Sequence, residues 1–323
     1  MKPIISLILP AYNVEKYIEA CINSCEAQDL PQNSYEIIIV NDGSTDTTAN
    51  KIVKLSTIYK NIKVITQKNQ GLSIARNNGV KEAKGEYIWF IDSDDVITRN
   101  CITTLTSIME DLRLDALACA PSISFKESFS KTFDFQNDIS KVYQGTEFLL
   151  HSNQFVIGAW CYIFKRSFWI NNHFSFYPKI VYEDTQLIPY VISKATKVAT
   201  LTRFSCYNYI QHPSSIINSP ISKHKLLSTT VIVNSHLKYA NEALAPKLNQ
   251  YFKKSASSAF INGINKIIQM KADKKTLNEF LSKIDVRPTA LYGKNIIQRL
   301  YQYVILHYPH TFVKLHYLLK YSK

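Results

Sequence analysis

No stretch of this sequence is apolar for long enough to span a bilayer: the longest apolar runs, such as residues 4–9 and 37–40, are strand-sized. The six cysteines (Cys21, Cys25, Cys101, Cys119, Cys161 and Cys206) include no Cys-x-x-Cys pair. Cys21 and Cys25 share a helical face, a spacing that suits packing and not a disulfide, so all six are expected to be reduced and mostly buried thiols. A Gly-x-Gly-x-x-Gly turn and a lysine-bearing phosphate loop are both missing, which argues against a dinucleotide-dependent dehydrogenase and a P-loop nucleotide hydrolase. No internal repeat or low-complexity tract stands out. Met1-Lys2-Pro3 leads straight into a strand-like run, so no signal peptide is expected and the chain is expected in the cytoplasm.

What is present describes a globular protein. The chain has 323 residues, 46% of them hydrophobic and 12% aromatic, enough for one large domain or two smaller ones with a substantial core. The net charge of +13 is uneven: residues 1–215 hold 21 basic and 21 acidic side chains, residues 216–323 hold 17 basic against four acidic. A neutral front and a basic rear imply two parts with different surroundings. We therefore expect a catalytic domain over 1–215 and a basic, aromatic-rich helical region over 216–323.

In the first 120 residues, strand-like runs at 4–9, 35–40, 62–66, 87–91 and 116–120 alternate with helical patterns at 14–27, 46–59, 71–83 and 98–112. Such alternation predicts an α/β fold with a mostly parallel sheet and helices on both faces. Right-handed crossovers would gather every strand's carboxyl end on one rim, where open α/β sheets form their ligand crevice. Residues 121–215 are less regular. Beyond Pro220 the pattern turns helical, at 222–243, 246–270, 274–284 and 289–320, with breaks near Pro246, Pro288 and Pro309.

The distinctive polar residues fall on that rim. The run Gly85-Glu86-Tyr87-Ile88-Trp89-Phe90-Ile91 ends in Asp92-Ser93-Asp94-Asp95. One Asp there would serve as a helix cap; three carboxylates after a core strand suit Mg²⁺ or Mn²⁺ bridging to substrate phosphates. In Asn41-Asp42-Gly43-Ser44-Thr45-Asp46, Gly43 permits a positive φ and Ser44 or Thr45 can cap a helix, but an ordinary turn leaves Asp42 unexplained. A carboxylate placed there can accept the N3–H of uracil or thymine, a donor that cytosine lacks. Pro10-Ala11-Tyr12 would lie beside it, with the Tyr12 ring as a stacking face for a base. Gly71-Leu72-Ser73-Ile74-Ala75-Arg76 opens a helix whose amides favour anions, and Arg76 lies within reach of a diphosphate or of Asp92 and Asp94.

Pro-x-Tyr-Asn, Asn-Asp-Gly-Ser-Thr-Asp, Gly-Leu-Ser-x-Ala-Arg-Asn-x-Gly and Gly-Glu-Tyr-x-x-Phe-x-Asp-Ser-Asp-Asp resemble, in this order, the signatures of family 2 glycosyltransferases, densely over residues 3–120 and sparsely to about 215. The resemblance implies a Rossmann-like GT-A fold, a nucleotide-sugar half (1–120), an acceptor half (121–215), a divalent metal and inversion at the transferred carbon. It implies that Asp42 reads the base, that Asp92 with Ser93 beside it contacts the ribose or Arg76, and that Asp94 binds the metal. Tyr182-Glu183-Asp184 is similar to the family's late acidic motif, which makes Asp184 the base for the acceptor hydroxyl and Glu183 its orienting neighbour. Trp160-Cys161-Tyr162-Ile163-Phe164-Lys165 resembles the acceptor segment, with Cys161 in place of the usual amide, leaving Trp160 and Lys165 as acceptor contacts. Tyr207-Asn208-Tyr209 and His212-Pro213-Ser214-Ser215 resemble the closing segment, with His212 either near the metal and diphosphate or an ordinary loop histidine.

These readings imply a nucleotide-diphosphate sugar as donor, UDP-linked with dTDP left open by Asp42, and a saccharide or lipid-linked saccharide as acceptor in surface polysaccharide or glycoconjugate synthesis. A metal-dependent nucleotidyltransferase is the alternative, weakened by the lack of a glycine- and lysine-rich loop where Pro10–Asn13 stand. A non-catalytic sugar-nucleotide binder is the other. From residue 286 onward there is no acid, while Arg287, Lys294, Arg299, Lys314, Lys320 and Lys323 alternate with seven aromatics. That pattern suits peripheral contact with an anionic membrane, or helices that pack on the catalytic domain or on a second subunit as a homo-oligomer. No nucleic-acid-binding motif accompanies the charge, so nucleic acid is not expected as a partner.

Overall fold

The computed structural model describes residues 2–119, 121–122, 139–151, 155–202, 205–212 and 219–321. Residue 120 of the expected fifth strand, Pro213-Ser214-Ser215 of the closing segment and Lys323 lie outside these. In order, the elements are β1 (Ile5–Ala11), α1 (Ile18–Glu26), β2 (Tyr35–Asn41), α2 (Thr48–Ile58), β3 (Ile62–Thr66), α3 (Leu72–Glu82), β4 (Tyr87–Phe90), β5 (Val96–Ile97), α4 (Ile102–Asp111), β6 (Ala116–Ala118) and β7 (Pro121–Ser122). They continue with α5 (Gly145–His151), β8 (Tyr162–Lys165), α6 (Arg166–Asn171), α7 (Glu183–Lys194), β9 (Val198–Thr200), β10 (Tyr207–Asn208), α8 (Lys223–Glu242), α9 (Pro246–Gln269), α10 (Lys274–Ser282), α11 (Ile296–His307) and α12 (Pro309–Tyr321).

The main sheet has the order β3-β2-β1-β4-β8-β6-β9. β1 is buried along its whole length, as a parallel strand covered on both faces must be. The helices that cover it follow from periodicity: Ile18, Cys21, Ile22 and Cys25 form the buried stripe of α1, at the spacing that puts side chains on one helical face. α3 lies close against β1, and a methyl group on Gly79 would come within 2.3 Å of Ile8 Cγ2. All six cysteines are buried and none forms a disulfide.

The strand order turns at β1, which has β2 on one side and β4 on the other. This is the switch point at which open α/β sheets bind ligands. β1 to β4 run parallel, but β8 runs antiparallel to both β4 and β6. Through β8, β6 runs parallel to β4, so the five expected strands all end on one rim; β8, in the less regular stretch beyond them, begins near the crevice and points away from it. A small second sheet, β5-β10-β7, stands where the sequence pattern shows no strand; its strands are two residues long, too short to carry a period.

By its internal contacts the chain divides into two compact units, Met1–Lys179 with Leu187–His212, and Ile180–Gln186 with Pro213–Lys323. The second is helical. α8 and α9 pack along one another, and Leu226, Val233, Phe260, Ile264, Phe280, Ile305 and Leu306 close its core. Its helices start on side-chain caps: Ser222 Oγ, Asp273 Oδ1 and Asn295 Oδ1 accept from the amides of Lys225, Thr276 and Gln298. Pro309 opens α12, a first-turn position where its missing N–H costs nothing. Among the described residues no helix is long and apolar enough to cross a membrane.

Candidate active site

The loops after β1 and β2 are stitched together. Asn13 Oδ1 accepts from the Thr45 amide at 2.8 Å, and Asn41 Oδ1 accepts from Ser44 at 3.1 Å. Gly43 has φ +73°, and a Cβ there would meet the Asn69 backbone nitrogen at 2.8 Å, so both conformation and space call for glycine. Asp42, buried beside it, accepts from Gln67 Nε2 (2.7 Å) and the Gln70 amide (2.9 Å) on one oxygen and from the Gly71 amide (2.8 Å) on the other. An ionised carboxylate offers about four acceptor positions, so one more donor can be taken. Tyr12 is exposed, with its ring available for stacking. Ala11 is buried in the core, which leaves only its backbone for a ligand. Ser93 is buried as well, and its hydroxyl donates to the Pro10 carbonyl at 2.6 Å, tying the end of β4 to the end of β1.

Past β4 the charged groups pair off. Arg76 Nη2 donates to Asp92 Oδ1 at 2.7 Å, and its guanidinium carbon lies 5.2 Å from the centre of the Phe176 ring. Phe176 is held there by Asn77, whose side chain bonds both its carbonyl and its amide. Asp94 Oδ2 lies 2.8 Å from His212 Nε2, and the imidazole stacks on Tyr17 with ring centres 4.6 Å apart. Burial and the nearby Asp92 charge push the Asp94 carboxyl above its usual range, while His212 pulls it down. Asp95 is sealed from solvent. It accepts from the Tyr207 hydroxyl and the Ile210 amide, both at 2.7 Å, yet burial and Asp92 raise its carboxyl to about 8.

Asp94 and His212 are the pair that could hold a divalent ion. Carboxylate and imidazole are ordinary donors for Mn²⁺, and their contact brings both donor atoms to one point. No group of three or more His, Cys, Asp or Glu side chains suited to a metal occurs among the described residues. The residues thus fit an ion that takes its remaining ligands from water and substrate phosphates, the usual habit of such ions at phosphate sites.

Trp160 stands at the crevice end of β8, stacked parallel to Tyr207 (4.6 Å) and Tyr209 (5.8 Å), and its carbonyl accepts from Trp89 Nε1. Lys165 does not join this group. It pairs with Tyr87, at the amino end of β4, on the rim away from Asp92; the antiparallel course of β8 puts it there. Glu183 and Asp184 belong to the second unit and open α7, Glu183 buried and Asp184 half-buried. Sequence reasoning missed Tyr207 as a partner of Asp95 and Asp92, and missed Gln67 and Gln70 as partners of Asp42. The motif spacing held a signal only for Gln67-Lys68-Asn69-Gln70, which follows β3 onto the crevice rim.

Residues 6–170 match the family model described as Glycosyl transferase family 2. The chain is 32% identical over 225 residues to an uncharacterized glycosyltransferase, EpsJ, of Bacillus subtilis strain 168; the match covers 68% of this chain and 64% of that protein. The chain thus spans less than two thirds of that relative's length. It is 26% identical over 306 residues to the poly(ribitol-phosphate) beta-N-acetylglucosaminyltransferase TarS of Staphylococcus aureus, covering 88% of this chain and 50% of TarS. The crystal structure of S. aureus TarS 1–349 in complex with UDP-GlcNAc superposes with a TM-score of 0.69 at 19% identity, over 96% of this chain and 92% of that one. That likeness is one of fold, and the fold is GT-A.

Proposed function

The chain belongs to glycosyl transferase family 2, and from that premise we propose that it moves a sugar from a nucleotide-diphosphate sugar, UDP-linked, to a hydroxyl of a saccharide or lipid-linked saccharide. The product would be a surface polysaccharide or glycoconjugate. The observation that carries this reading is the meeting of Asp42, the Arg76–Asp92 pair and the Asp94–His212 pair at the carboxyl rim of β1, β2 and β4. A UDP-GlcNAc complex of a protein with the same fold supports the choice of uridine.

In this reading the base stacks on Tyr12 and gives its N3–H to the remaining acceptor position of Asp42. Asp92, fixed by Arg76 on Oδ1, takes a ribose hydroxyl on its other oxygen. Asp94 and His212 would hold Mn²⁺ or Mg²⁺, which when bound neutralises charge on the departing diphosphate. Arg76 adds a fixed positive charge at the same rim. Asp184 is the proposed base for the acceptor hydroxyl, with Glu183 beside it. One displacement of this kind inverts the anomeric centre. Trp160 offers an apolar edge to an acceptor sugar. The basic second unit draws the protein to anionic membrane, where lipid-linked acceptors are presented.

The test is to incubate the protein with UDP-GlcNAc, UDP-glucose and UDP-galactose, with and without Mn²⁺, together with polyol-phosphate and lipid-linked saccharide acceptors. Release of UDP with transfer of the sugar is the expected result. Release of pyrophosphate would indicate a nucleotidyltransferase, and donor binding without turnover across the acceptors would indicate a binding protein.

A further inference from the structure

Helix α11 is inside out. Its inward face contains a glutamine, Gln302, whose Oε1 accepts from the amides of Tyr292 and Gly293, beside Ile305 and Leu306. Its solvent face is apolar: Ile296, Ile297 and Leu300 are 79%, 76% and 62% exposed, and Tyr303 continues the same side one turn on. Residues 296, 300, 303 and 307 fall on one side of an α-helix, with 297 next to them. A helix that only packs on its own unit would present polar residues there. Tyr301 meets Phe312 of α12 edge-on, and α12 adds exposed Leu315 and Leu318.

The rim of this face is cationic. Lys294 precedes α11, Arg299 lies on it and Lys314 on α12, all three exposed, and no acidic residue occurs from 286 to 323. Arg299 is oriented by a bond from its Nε to the Gly293 carbonyl. A second copy of the chain, docked symmetrically on this face, would bring those cations against themselves. An anionic bilayer satisfies both features: acyl chains take up the isoleucines and leucine, and headgroup phosphates meet Lys294, Arg299 and Lys314.

We infer that the solvent face of α11, led by Ile296, Ile297 and Leu300, inserts into the surface of an anionic membrane. The inference deepens the membrane contact proposed above and does not depend on the identity of the sugar. The experiment is co-sedimentation of the full chain with phosphatidylcholine vesicles, with and without phosphatidylglycerol. Binding is expected only with phosphatidylglycerol and should weaken as salt is raised. The triple variant I296S/I297S/L300S should lose about tenfold or more of that binding, from the apolar area removed, with its circular dichroism melt and its rate of UDP release in solution unchanged. Wild-type protein that ignores phosphatidylglycerol vesicles, or a triple variant that binds as wild type, would overturn the inference. So would a wild-type dimer that the triple variant dissolves without any vesicle binding. Vesicle binding without UDP release would leave this face intact and remove the transferase reading instead.

Discussion

Arg76 and Asp92 form an ion pair at 2.7 Å in which the two partners are unequally wet: the Arg76 side chain is 1% exposed and that of Asp92 25%. A buried guanidinium without its carboxylate is costly, whereas a carboxylate at the crevice mouth can recover water. Asp92→Ala should therefore destabilise the fold by about 2–3 kcal/mol, somewhat below the 3–5 kcal/mol typical of breaking a fully buried pair, and Arg76→Met by less. Urea unfolding of both variants gives the order. A larger loss in Arg76→Met would mean that the pair is not what keeps Arg76 inside.

This pair also marks how far the sequence can be read. Arg76 one turn into a helix and Asp92 after a strand are local signals, and the parallel βαβ units bring them together. Lys165 is the opposite case. The run 162–165 has the residues of a strand, but nothing local says that it runs antiparallel, and direction decides which rim Lys165 reaches. Asp95 and Tyr207 are 112 residues apart, joined by strands too short to show a period. Asp42 stood out as an acid beyond a strand, yet that its carboxylate holds the Gln67–Gly71 loop follows only from the packing of β2 against β3.

The Asp94–His212 contact predicts how donor binding depends on metal. In wild type, UDP should raise the melting temperature further when Mn²⁺ is present. Asp94→Asn should remove that extra shift, because the amide is a much weaker donor to a divalent ion. His212→Ala should reduce it and leave Asp94 able to bind weakly. Differential scanning fluorimetry with UDP, with Mn²⁺ and with both reads this directly. An undiminished extra shift in Asp94→Asn would place the ion elsewhere.

If Asp184 takes the acceptor proton, Asp184→Asn should keep the KM for the donor and lower kcat by about 10²–10⁴-fold, the usual contribution of a positioned base. The measurement is steady-state UDP release with acceptor present. A rise in donor KM at unchanged kcat would move Asp184 from proton transfer to donor binding.

Gly79 sets the distance between α3 and β1. Gly79→Ala puts a methyl group within 2.3 Å of Ile8 Cγ2, so either Ile8 leaves its rotamer or α3 moves outward. Overpacking of this kind costs about 1–3 kcal/mol. Because Arg76 sits on α3, the variant should also weaken UDP binding, readable by isothermal titration. Full affinity with lowered stability would show that Ile8 yields and the helix stays.

His236 predicts a pH dependence of stability in the second unit. Its Nε2 lies 3.0 Å from the Thr185 carbonyl and 3.3 Å from that of Gln186, and its Nδ1 lies 2.9 Å from Ser255 Oγ. Carbonyls only accept, so Nε2 carries the proton and the ring is neutral, accepting from Ser255. The Thr185 carbonyl needs this donor because the residue one turn on in α7 is Pro189, which has no N–H. Burial lowers the His236 pKa from 6.5 to about 4, against those carbonyl bonds. Below pH 6.5 the unfolded chain therefore binds a proton that the folded chain refuses, and stability falls as the pH drops from 6.5 to 4. The fall amounts to about 3 kcal/mol, from the size of the shift. His236→Asn should flatten this part of the profile in urea titrations at several pH values. His236→Ala should cost about 1–3 kcal/mol at pH 8 by leaving the carbonyl unmet. In a Pro189→Ala background the restored backbone N–H can reach Thr185, so the same change should cost less, and equal costs in the two backgrounds would break the link between proline and histidine.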